Sequence, residues 1–108
     1  MRAPRLNRRM SLEERVEVPN GSGGFSRTWV EVAELWVGVL GGAGAEVFQA
    51  GTALGRVRCR ILLRAGGPRP AAGQRFREMG RVFTVRALWE ADPDARYLTC
   101  DVEEEVPA

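Results

Sequence analysis

The 108-residue chain contains no histidine and no lysine, only two cysteines, and no long apolar run. Without histidine there is no Ser-His-Asp or Cys-His pair, and the commonest general base and metal ligand is missing. Cys59 and Cys100 alone fall short of the four ligands of a structural zinc site. Both stand in apolar, strand-like contexts and are expected as buried free thiols. No stretch approaches the ~20 apolar residues of a membrane span. The basic start "MRAPRLNRRM" runs into "SLEERVEV" rather than an apolar core segment, so no secretory signal is read and an intracellular origin is expected. "GGAGAE" lacks the spacing of a phosphate-binding loop, and "DPD" and "EEE" lack that of a calcium loop. No catalytic, cofactor-binding or metal-ligating set is therefore assigned.

With lysine absent, all sixteen positive charges are arginines, set against fourteen acids for a net charge of +2. Arginine is planar, always charged and suited to carboxylates and phosphates. The charges are unevenly placed. Residues 56–86 hold nine arginines and one acid, Glu78, whereas residues 92–105 hold six acids and only Arg96. Such polarity suits pairing of neighbouring strands within the chain, or head-to-tail contact between copies. Nucleic-acid binding is the third option, and the small net charge weighs against it.

The punctuation of the chain is that of an all-β protein. Residues 1–10, with four arginines and a proline, read as a flexible basic arm preceding a single domain over 11–108. "LEERVEV" is a short strand, and "PNGSGG" at 19–24 is turn chemistry. "FSRTWVEVAELWVGVL" is too long for one flat strand, and Trp29 and Trp36 differ in parity. A bend or bulge is therefore expected near Ala33–Leu35. The Gly-rich stretch 41–55 encloses "AEVFQA", expected as one or two helical turns in a long, loose connection. Three further strands follow around Phe76, Phe83 and Cys100, separated by Gly/Pro loops. About six strands at this spacing predict a small antiparallel β-barrel or sandwich. Trp29, Trp36, Cys59, Phe83 and Trp89 are expected in its core, because a small barrel needs large side chains to fill it.

"RVRCRILLR", residues 56–64, carries the sharpest pattern. Val57, Cys59, Ile61 and Leu63 share one parity; Arg56, Arg58, Arg60 and Arg64 share the other. One face of the strand is apolar and the other is a row of guanidinium groups.

The ordered features resemble the phage head–tail joining proteins, the head-closure or stopper proteins of phages and related gene transfer agents. The resemblance spans about Leu6 to Val106 and rests on "LNRRMSLEERVEV", "GGFSRTWVEVAELWVGV" with its W-x6-W spacing, and "GAEVFQAG". "RVRCRILLR", "GQRFREMGRVFTVRAL", the acidic turn "DPD" and the closing "YLTCDVEEE" complete it. One departure is visible: Arg64 is followed by Ala65 and extra Gly and Pro, where the family commonly has an Arg-aromatic pair.

The resemblance implies a β-barrel subunit of a six- or twelve-fold ring in the neck of a virion or virus-like particle assembled in the bacterial cytoplasm. Adaptor and portal proteins would lie above the ring and tail terminator or tail tube proteins below. Packaged double-stranded DNA would pass through it without sequence-specific binding and without any membrane. By the same resemblance, the 41–55 loop, with Gly42, Gly44, Glu46 and Gln49, is the expected channel gate. The N-terminal arm and the 65–73 loop are expected to touch neighbours. Arg56, Arg58, Arg60 and Arg64 on one patch, and Asp101, Glu103 and Glu104 on the other, are the expected subunit contacts. The alternative is an OB-like nucleic-acid-binding module that tracks phosphates with the arginine face.

Overall fold

The computed structural model describes residues 5–41, 47–49 and 54–107, with the side chains of 47–49, 54 and 107 excepted. Seven strands follow one another: β1 (Arg8–Pro19), β2 (Phe25–Gly41), β3 (Val47–Gln49), β4 (Leu54–Arg64), β5 (Arg75–Glu78), β6 (Arg81–Glu90) and β7 (Tyr97–Pro107). All pairings are antiparallel. The order β2-β1-β5-β6-β7-β4 returns to its start, because β4 also pairs with β2. These six strands close the expected barrel, and β3 takes the edge of β4 that β2 holds, over Gly55–Val57 where β2 no longer pairs. Closure leaves the barrel itself without free edges.

The core follows from strand alternation. Met10 and Leu12, Val37, Cys59, Ile61 and Leu63, Phe76, Phe83 and Val85, and Leu98, Cys100 and Val102 point inward and are buried. Leu35, Val39 and Leu88 pack against them. The connection between β4 and β5 returns onto the barrel and buries Pro70. It is tied there by backbone bonds that join Gly73 and Gln74 to Val85. Two turns use left-handed backbone. At the β1–β2 tip, Gly21 and Gly23 have φ of 79° and 80°. Asn20 Oδ1 accepts the amides of Ser22 at 2.9 Å and Gly24 at 3.2 Å there. At the β5–β6 tip, Met79 and Gly80 have φ of 47° and 86°, the pair of positive angles a two-residue hairpin turn requires.

Four expectations need correction. The strand begins at Arg8, and Met10 is in the core, so the basic arm ends earlier than residue 10. The pattern Met10, Leu12 continues the inward alternation, which four nearby arginines obscured. The 41–55 stretch carries a strand, Val47–Gln49, instead of helical turns. A β-branched and an aromatic residue there pair with the existing edge of β4 rather than start a costly isolated turn. The bulge in β2 lies just before the expected bend. Leu12 pairs with Ala33 and Glu13 with Glu31, so Val32 is the extra residue.

The tryptophans lie outside the core. Trp36 is 56% exposed, Trp89 is 40% exposed and Trp29 is half-buried. The reason is parity. Val37 and Leu35 take the inward positions, which turns Trp36 outward. The bulge at Val32 brings Trp29 onto that same outer face, opposite Arg15 as Trp36 is opposite Arg9. A second bulge at Arg86, between Val85 and Ala87, lets Leu88 face inward and throws Trp89 out.

Candidate interaction surfaces

On the outer wall, β4 and β7 lie side by side in a register that puts Arg56 opposite Glu105, Arg58 opposite Glu103 and Arg60 opposite Asp101. The arginine row and the acidic row therefore meet within one chain. Glu103 gathers Arg58 at 3.6 Å and Arg56 and Arg86 at 3.9 Å. These guanidinium groups are half-exposed, and such loose pairs contribute little stability. Their effect is to cancel charge locally, which removes much of the appeal of a phosphate-tracking face. Arg64 stands apart at the end of β4, exposed and opposite Tyr97.

Glu104 does not belong to this outer row. It shares the inward parity of Val102 and Cys100 and is only 7% exposed. Arg81 holds it with two bonds, Nε to Oε2 at 2.7 Å and Nη2 to Oε1 at 2.9 Å. Beside it, Arg8 binds both oxygens of Glu78, with Nε to Oε2 at 3.1 Å. Arg8, Glu78 and Arg81 all sit at inward positions where their strands reach the barrel mouth. Two fork-to-fork ion pairs thus finish the apolar column at this end. The bond from Arg8 holds the Glu78 carboxyl below its ordinary range and raises Arg8, while Glu104 raises Arg81. Burial, then the charge of Glu104, pushes the Cys59 thiol up. Burial pushes Cys100 up to about 12. Both cysteines are free and are poor nucleophiles. The parity of Arg81 with Phe83 and Val85 was the signal for this mouth.

The remaining outer wall has three further features. Glu13, buried, binds Arg75 at 2.7 Å and Arg77 at 3.1 Å, and the Arg75 guanidinium stacks over Trp29 at 4.1 Å. This accounts for the half-burial of Trp29. Elsewhere, Leu40, Gly41, Arg58, Arg60, Trp89 and Asp101 line a hollow of about 510 Å³ above Cys59. Arg60 lies over the Trp89 ring at 5.6 Å. The N-terminal segment also crosses this wall: a Cβ on Gly38 would overlap the carbonyl oxygen of Arg5. Only glycine lets the segment pass there.

Of the expected gate residues, Gly42, Gly44 and Glu46 lie outside the described residues, and the backbone of Gln49 pairs with Gly55. The connection that carries them leaves from Gly41 and returns at Leu54, next to the ion-paired mouth. Among the described residues no cluster of three or more candidate metal ligands occurs.

A family model described as phage head completion protein matches residues 1–105. A solved structure titled "Virion of native gene transfer agent (GTA) particle" contains a chain similar to this one, with a TM-score of 0.81 and 39% identity. The similarity covers 98% of this chain and 100% of that one. No curated protein matches.

Proposed function

The chain belongs to the phage head completion protein family, and from that premise we propose that it is a non-catalytic structural subunit of a virion or gene transfer agent particle. In this reading, copies form a ring below the portal and its adaptor, close the DNA-filled head and give the tail a docking surface. The observation that carries the reading is the family match over nearly the whole chain, joined to the 39% identity with a virion chain across its full length.

The physical chemistry is compatible. A closed barrel with a core of Phe76, Phe83 and ten smaller side chains is a rigid spacer. The connection between Gly41 and Leu54 departs from a charged mouth and is the candidate gate on the channel. Arg56, Arg58, Arg60 and Arg64 remain candidates for subunit contact alongside Asp101 and Glu103, within the limits set by their pairing in cis. Glu104 does not, because Arg81 occupies it.

The test is a producing strain lacking this chain, with particles imaged in the electron microscope and their DNA quantified. The expected result is heads that lose DNA or lack tails, rescued by supplying the chain. Normal tailed, DNA-filled particles without it would overturn the reading.

A further inference from the structure

The inward face of β1 and β2 does not stop where the barrel stops. On β1 the inward parity of Met10 and Leu12 continues as Glu14, Val16 and Val18. On β2 it continues from Ala33, across the bulge, to Val30, Thr28 and Ser26, which pair with those three residues. β5 pairs with β1 only as far as Glu13, and β4 pairs with β2 only from Val37. The hairpin beyond is thus a two-stranded ribbon whose core-type face no other strand among the described residues covers. Val18 and Val30 are each 45% exposed. The face carries one charge, Glu14, which is exposed and has no ion pair among the described residues.

The hollow on the outer wall is its complement. Leu40 and Trp89 are exposed apolar side chains there. Arg60 stacks on Trp89 and has no ion pair among the described residues. One patch sets Val16, Val18 and Val30 beside Thr28, Ser26 and a single carboxylate; the other sets Leu40 and Trp89 in a hollow that holds two guanidinium groups, Arg58 and Arg60, to one carboxylate, Asp101. Trp and Arg side by side in a hollow are the residue types that anchor interfaces.

We infer that the β1–β2 hairpin of one copy docks its Val16–Val18–Val30 face into the Leu40–Trp89–Arg60 hollow of a second copy, pairing Glu14 with Arg60. The inference rests on the structural-subunit reading above and names the surfaces it would use. The two patches differ and lie on different parts of the chain. The contact is therefore head-to-tail, and it closes into a ring where the rotation between copies allows.

The test uses Val18→Cys and Leu40→Cys, both exposed sites, on the full chain. The native thiols are buried, and a Cys59→Ser background excludes the one beneath the hollow. Mixed under oxidising conditions, the two variants should form a dimer joining Val18→Cys to Leu40→Cys, and a chain carrying both should form a ladder. In purified particles the same link should appear. Glu14→Arg and Arg60→Glu should each weaken self-association at least about tenfold, and the double exchange should recover it. Circular dichroism of each variant confirms a folded monomer. Self-linked Val18→Cys, a link to a different particle protein, or an exchange without recovery would overturn the docking. If the chain is incorporated in particles and no such link forms, the docking fails alone. If it is absent from particles altogether, the structural-subunit reading fails with it.

Discussion

The inward column of the barrel ends in two different ways. At the mouth by Gly41 and Leu54 it ends in charge, with Arg8 on Glu78 and Arg81 on Glu104. Along β1 and β2 no other strand among the described residues caps it, and Val18 and Val30 stand 45% exposed. The first ending satisfies every polar group it brings inward and needs no partner. The second leaves apolar surface uncovered, which monomeric proteins rarely extend far without using it. The contrast teaches that completeness is local: one end of the column is closed by its own side chains, and the other leaves valines exposed among the described residues.

The comparison breaks hardest at the core both endings share. Phe83→Ala removes a fully buried ring and should cost about 3–5 kcal/mol, read by urea unfolding. An unchanged midpoint would mean that the column is not continuous there. Next comes Glu104→Ala, which frees Arg81 at the mouth and should cost roughly 1–3 kcal/mol. The Glu78 pair sharpens the same end through pH. Its carboxyl is held below the unfolded value of 4.5, so its contribution is present above that pH and is lost as pH falls through the folded value. Glu78→Gln should therefore flatten the loss of stability below pH 4.5, compared by thermal melts at pH 3–6. Gly38→Ala should lift residues 5–7 off the wall at a cost of about 1 kcal/mol or less, seen as faster amide exchange there. Smallest is Val18→Ser on the uncovered ribbon, expected within about 0.5 kcal/mol for the isolated chain. A large loss there would mean that the ribbon is already packed in the monomer.

Much of the fold was legible because its strands alternate cleanly. Val57 to Leu63 and Leu98 to Val102 read directly as inward rows, and "PNGSGG" read as a turn. The tryptophans did not. Two bulges, at Val32 and Arg86, shift parity by one residue, and nothing in composition marks where an extra residue sits. Large aromatic side chains in Val-rich segments also satisfy the core pattern as well as Phe does. The charged surface was half legible. Arginine and acid rows were plain, but whether they meet within one chain depends on β4 lying beside β7, which is a matter of topology. The ion-paired mouth was the converse case. Arg81 and Glu104 keep inward parity to the strand end, where charge is tolerated because the barrel opens.

The bulge at Val32 has one more consequence. Removing that residue would leave Ala33 opposite Leu12 and Glu31 opposite Glu13, with every other pair intact. A regular ladder would result, with the same side chains on the same faces. What would change is the local bend and extra twist that a bulge imposes. Val32 therefore governs where the ribbon points and leaves alone what the ribbon presents. Reach and chemistry are separately adjustable in this arm, and a single-residue deletion tunes the first without touching the second.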